Sequence, residues 1–131
     1  MFTSLDEYDK AKEYLGKALA ITVQIGHKKG DVSACNNLGI VFGLGEYDKA
    51  KEYIEKGLAI RLQIGDKEGE PSSYNNLGTV LRFLGEYDEA KEYVEKALAI
   101  KIQIGDKEGE ASSYENLGSV FQSLGEYVRA M

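Results

Sequence analysis

The sequence contains no tryptophan, one proline, one histidine and one cysteine. A lone cysteine excludes an internal disulfide and suits a reducing, intracellular setting, so a cytoplasmic location is expected. A nucleophilic Cys35 would need a base beside it, and no second histidine exists to complement His27. No apolar run reaches the length of a membrane-spanning helix. The opening MFTSLDEYDK is acidic and short of apolar residues, unlike a secretory signal. Basic residues are the minority, 16 against 22 acidic, for a formal net charge of −6. Nucleic acid and anionic membrane both require a basic face to neutralise phosphate, so neither is an expected partner. What is present, 131 residues at 43% hydrophobic and 29% charged, suits one soluble globular domain with a real core.

The strongest positive signal is repetition. IGDKEGE stands at Ile64–Glu70 and again at Ile104–Glu110, with a variant, IGHKKGD, at Ile25–Asp31. Setting Leu44–Phe83 over Leu84–Ser123 gives 29 identities in 40 positions. EYDKAKEY at 7–14 and 46–53 and EYDEAKEY at 86–93 mark the same point in three copies, and a fourth begins at Glu126. The first step is 39 residues, because FGLG replaces LRFLG at a turn.

Two helical patterns alternate within a copy. In the first, Tyr74, Leu77, Val80, Leu81 and Leu84 recur at helical spacing, and LGE closes the run with Gly85 as the turn residue. In the second, Tyr87, Ala90, Val94, Ala97, Leu98 and Ile102 form the apolar stripe, Glu92 and Lys96 support the solvent face, and Gly105 ends it. The spacing predicts helices near 7–25, 29–43, 46–64, 68–83, 86–104 and 108–123, plus a stub at 126–131. The copied loop then has a sufficient structural reading as a hinge. Gly65 and Gly105 stand where a left-handed cap is wanted, and Asp66 and Asp106 can accept amide hydrogen bonds from the next helix. Pro71 fits a first helical turn. A calcium loop would need alternating oxygen ligands ending in a bidentate glutamate, and a phosphate loop would need GxxxxGK[ST]; neither is present. His27 takes the place of Asp66 and Asp106, as a weaker cap, and Cys35 takes the slot of Tyr74 and Tyr114, as a packed thiol. The nine tyrosines repeat in register, as packing slots do. No catalytic, cofactor-binding or metal-ligating residue is assigned, and the chain is not expected to be an enzyme.

The modules resemble tetratricopeptide repeats. The family pattern in the first helix is a large residue, then leucine-glycine, then an aromatic, and Tyr74, Leu77–Gly78 and Leu81 stand at these positions. It is met again by Tyr114, Leu117–Gly118 and Phe121, and by Cys35, Leu38–Gly39 and Phe42. The small-bulky-small pattern of the second helix is met by Ala90, Val94 and Ala97, and by Ala11, Leu15 and Ala18; in the remaining copy Ala50 and Ile54 are followed by Gly57. The long period and the GDKxGEA joint are similar to repeats of the G-protein-signalling modulators. The resemblance implies an all-α solenoid of antiparallel helix pairs, wound as a right-handed superhelix with a concave inner surface. Residues 1–131 form a single repeat domain on this reading: a second-type helix at 7–25, then modules at 29–64, 68–104 and 108–131, the last truncated.

At 100° per residue, Ser72, Asn75, Thr79 and Arg82 fall opposite the apolar stripe of their helix, and the resemblance implies that this side lines the concave groove. The matching residues are Ser33, Asn36, Ile40 and Gly43 in one copy and Ser112, Glu115, Ser119 and Gln122 in another. Three of the 11 differences between the aligned copies fall at these positions. Either each module offers a different surface to one ligand, or exposed positions drift while packed ones cannot. Asparagine can donate to and accept from a peptide backbone at once, so Asn36 and Asn75 suit an extended segment, and Arg82 suits an acid on it. Asn37, Asn76 and Asn116 lie at the margin of the stripe, where a structural hydrogen bond and a ligand contact remain open alternatives.

The expected function is therefore a scaffold binding an extended peptide of a protein partner, with no cofactor. The alternative is a structural or self-assembling piece of a longer array, without a ligand of its own. The pattern also leaves an orphan stripe at each end: Tyr8, Ala11, Leu15 and Ala18 on one helix, and Tyr114, Leu117, Val120 and Phe121 on the other. These are the two halves of one module, so self-association through uncapped ends is expected, with the stub at 126–131 swinging aside or fraying.

Overall fold

The computed structural model describes residues 4–131, with side chains from residue 7 onward; the first three residues of the expected domain lie outside the described residues. Six α-helices follow one another: α1 Ser4–Gln24, α2 Lys28–Phe42, α3 Tyr47–Ile64, α4 Glu70–Phe83, α5 Tyr87–Ile104 and α6 Lys107–Ala130. No strand occurs among the described residues. The chain divides into two compact units, Met1–Ile64 and Gly65–Met131.

In the first unit α2 packs against both α1 and α3. Val32, Ala34, Cys35 and Leu38 of α2 are buried, as are Ala50, Ile54 and Leu58 of α3. The leucine-glycine pair explains how closely the two helices approach: a Cβ on Gly39 would stand 2.7 Å from Cγ1 of Ile54. Cys35 is 2% exposed, and burial pushes its thiol up from its ordinary pKa, away from the reactive thiolate.

In the second unit α4 packs against α5, and α6 packs against both. Tyr74, Leu77, Val80 and Leu81 of α4 meet Ala90, Val94 and Ala97 of α5 in the core, to which α6 contributes Val120. A Cβ on Gly78 would collide with Val94, so this glycine too is an approach point between helices. Pro71 is buried at the first turn of α4, where a missing amide N–H costs nothing.

The hinges are built as the residues predict. Gly26, Gly65, Gly85 and Gly105 adopt φ of 71°, 69°, 80° and 75°, the left-handed region that favours glycine. Beyond them Asp66 Oδ1 accepts the Gly69 N–H at 3.0 Å and Asp106 Oδ1 accepts the Gly109 N–H at 3.0 Å. His27 does the same work with Nδ1, accepting the Gly30 N–H at 2.8 Å.

Two expectations are corrected. The separate stub at 126–131 does not form: α6 runs unbroken through Gly125 to Ala130. Continuing a helix adds a hydrogen bond for each residue fixed, and α6 does so through Gly125. Tyr127 on this extension packs against Tyr87 of α5, with ring centroids 5.7 Å apart. The α5 stripe also ends earlier than its spacing suggests. Ala90, Val94 and Ala97 are buried, but Ile102 is 50% exposed, because it faces the space beside α6 rather than α4.

Candidate functional site

The polar side of each first-type helix is exposed because the opposite side carries the core. On α4, Ser72 and Thr79 are exposed while Asn75 and Arg82 are half-buried. On α6, Ser112, Glu115 and Gln122 are exposed and Ser119 is half-buried. On α2, in the other unit, Ser33 and Ile40 are exposed and Asn36 and Gly43 are half-buried.

Within the second unit α4 and α6 lie against each other, and part of this polar face comes together there. Thr79 and Arg82 from α4 and Asn116 and Ser119 from α6 line a cleft of about 30 Å³, floored by Gly78, Val94 and Val120. That volume holds about one water and no side chain. The cleft is therefore a seam between helices whose rim, not its interior, can meet a partner. Arg82 Nη1 donates to Ser123 Oγ at 3.3 Å, and its guanidinium lies 4.6 Å from the Phe83 ring centroid. Both contacts hold the charge at the rim. The Thr79 hydroxyl donates back to the Asn75 carbonyl at 3.2 Å, leaving its oxygen lone pairs outward. Ser123 was not among the expected groove residues. Its signal was its place opposite Phe83 in the aligned copies, a change from aromatic to hydroxyl next to Arg82/Gln122. Asn116 lines the cleft, whereas Asn37 is exposed on α2.

Two charged groups elsewhere, Glu70 and Asp106, serve structure. Glu70 is 3% exposed, with Lys67 Nζ 3.7 Å from its carboxylate. It sits in the first turn of α4, where the helix dipole favours an acid, and it raises the pKa of Tyr74 together with burial, the larger cause. Asp106 is held below its ordinary pKa, first by the Gly109 N–H and then by Lys101, whose Nζ is 2.9 Å away. Among the described residues no group of three or more His, Cys, Asp or Glu could hold a metal. No described helix is long and apolar enough to cross a membrane.

Of the residues expected at the ends, Tyr114 and Phe121 are 52% and 48% exposed and Leu117 is half-buried. Val120 is only 2% exposed, packed at the floor of the α4–α6 cleft, so it is not part of an open stripe. On α1, Ala11 and Leu15 are half-buried and Ala18 is exposed. Tyr8 lines a hollow with Lys12, Phe42 and Glu46, on the side turned to α2.

Paired helices with a leucine-glycine contact and glycine-aspartate hinges define a helical-repeat interaction protein of the α-solenoid class. The family model described as tetratricopeptide repeat matches residues 1–63 and 69–131, and the chain belongs to that family. Repeats of this family mediate protein–protein interaction and typically form non-catalytic scaffolds. Among solved structures, BtubC (BKLC) of P. vanneervenii is similar at 26% identity and a TM-score of 0.81, over 95% of this chain and 52% of that one. A protein described as a putative kinesin light chain of Podosopora anserina, with nearly identical TPR-like repeats, is similar in fold at 22% identity and a TM-score of 0.74, over 94% of this chain and 62% of that one. A single-substitution variant of the same Podosopora anserina protein aligns at a TM-score of 0.76. The chain thus spans about half to three fifths of these proteins. A search of curated protein sequences finds no match.

Proposed function

We propose that the chain is a protein-interaction module that holds an extended peptide segment of a partner on the polar sides of α4 and α6. The observation that carries this reading is the rim shared by α4 and α6, where Arg82, Thr79 and Ser119 lie together and Arg82 is fixed by Ser123 and Phe83. A guanidinium has five donors, and one directed to a neutral hydroxyl leaves charged donors for a carboxylate. Asn75, one turn before Thr79 on α4, is half-buried with its Oδ1 covered, so it serves a peptide only as an N–H donor to a main-chain carbonyl. Hydroxyls and amides on a fixed helix face favour main-chain recognition, with Arg82 selecting an acidic residue on the peptide. The partner is a protein rather than nucleic acid or an anionic membrane, in keeping with a net charge of −6.

A library of extended peptides with and without acidic residues tests this by titration calorimetry. Peptides with an acid are expected to bind best. Arg82→Glu is expected to weaken them at least about tenfold, the scale of a lost charge-assisted contact. Asn75→Ala should weaken acidic and neutral peptides alike. Binding unchanged in both variants would place the contact elsewhere.

A further inference from the structure

The polar face shared by α4 and α6 carries two charges, and each stands where the aligned copy has a neutral amide. Arg82 of α4 matches Gln122 of α6, and Glu115 of α6 matches Asn75 of α4. The other positions of the face, Ser72 and Thr79 on one helix and Ser112 and Ser119 on the other, are hydroxyls in both copies. The repeat thus supplies the same neutral lining twice, with one cation and one anion set into it at different heights.

The heights follow from the packing. Thr79 and Ser119 line one cleft, and Arg82 Nη1 reaches Ser123 Oγ at 3.3 Å, so equivalent levels of the two helices lie side by side. Glu115 precedes Ser123 by eight residues on α6. At 1.5 Å per residue that is about 12 Å along the axis, too far for Arg82 and Glu115 to pair with each other. Glu115 is exposed, and it makes no ion pair among the described residues. No lysine or arginine stands three or four residues to either side of it. Other acids of this unit are matched: Glu110 with Lys107 at 3.4 Å and Glu95 with Lys91 at 3.9 Å. Glu115 lies about 200° round the helix from Leu117, so its place on the polar face owes nothing to the leucine-glycine side.

An extended peptide running along these helices rises about 3.3 Å per residue, and its side chains alternate between two sides. Residues three apart span about 10 Å but point to opposite sides; residues four apart span about 13 Å and point to the same side. Only the second spacing meets both the height and the side of the two charges. We infer that the segment held on this face carries an acidic and a basic residue four positions apart, the acid on Arg82 and the base on Glu115. In keeping with the peptide-binding role on which this rests, Arg82 takes the acid. Glu115 adds a second determinant, which attracts a base and repels a segment that is acidic throughout. Between them the hydroxyls and the Asn75 N–H meet main chain, whatever side chains it bears.

Titration calorimetry with peptides that differ only in their charges tests this. One carries an acid alone, two carry an acid and a lysine four apart in either chain order, and one carries them three apart. A four-apart peptide in one order is expected to bind about two- to fivefold tighter than the acid alone, the range of an exposed ion pair. The three-apart peptide should show no such gain, and the gain should vanish in about 1 M salt, where charges are screened within about 3 Å. Glu115 is exposed, so its substitution leaves the fold in place. Glu115→Gln should abolish the gain, and Glu115→Lys should transfer it to a peptide with a second acid in place of the lysine. Four-apart peptides that bind no better than the acid alone, in both orders, overturn the inference and leave the peptide-binding role standing. So does a gain that survives Glu115→Gln or appears equally at three apart. No binding by any of the peptides would overturn both.

Discussion

Two stretches of the chain, NNLGTVLRFLGEYDEA at 75–90 and ENLGSVFQSLGEYVRA at 115–130, share most of their residues and fold differently. In the first, Gly85 turns left-handed at φ 80° and the chain reverses into α5. In the second, the matching Gly125 stays helical and α6 runs on. Leu77 is fully buried in the first, and its counterpart Leu117 is half-buried in the second. The LGE tripeptide therefore permits a turn without compelling one. What makes the turn is the helix after it, which recovers the lost hydrogen bonds by burying Ala90, Val94 and Ala97 against α4.

The sharpest way to break this comparison is to truncate the two leucines. Leu77→Ala is expected to cost about 2–5 kcal/mol, as for a fully packed leucine. Leu117→Ala should cost about 1 kcal/mol, as for a partly exposed one. Equal shifts in urea melts would mean that the two faces are equally covered. The glycines should differ in sign. Gly78→Ala forces a methyl into Val94 and is expected to destabilise by about 1–3 kcal/mol. Gly118→Ala meets open space within a helix and is expected to stabilise by about 0.5–1 kcal/mol.

These contrasts also mark what could be read from the sequence. The helix pairs were legible because the stripe around Leu77 and the stripe around Val94 are local and helical in period. The hinges were legible because glycine and aspartate stand at fixed offsets, and the backbone needs little else there. The fate of Gly125 was not legible, since it depends on a packing partner and not on the tripeptide. The burial of Val120 was missed for a related reason. The periodicity placed it on the stripe of α6 but could not say that this edge of the stripe faces α4. At the polar face, the side on which Asn75 and Arg82 lie followed from helical rotation. The Arg82–Ser123 contact did not, because it joins residues on different helices.

The hinges offer a smaller contrast. His27→Asp gives the α2 cap the carboxylate used at Asp66 and Asp106 and is expected to add about 0.5–1 kcal/mol, measured as a higher melting temperature. Acid should act in the opposite direction at the α6 hinge. Asp106 has a folded pKa below its ordinary value, so its contribution is present above the ordinary carboxylate range and is lost as pH falls through the folded pKa. The Gly109 amide should accordingly exchange faster, relative to the amides of central α6, in acid below that range than at pH about 6. An unchanged ratio would mean that the cap bond does not depend on the carboxylate.

The claim that links these contrasts is that a following helix packed on the leucine-glycine face, and not the LGE tripeptide, makes the turn. The most direct measurement is a urea melt of a chain in which a copy of residues 87–104 is appended after Glu126 in place of the present ending. That copy should turn back at Gly125 and bury Leu117, so that Leu117→Ala costs about 2–5 kcal/mol there, as Leu77→Ala does. A cost that stays at about 1 kcal/mol would contradict the account.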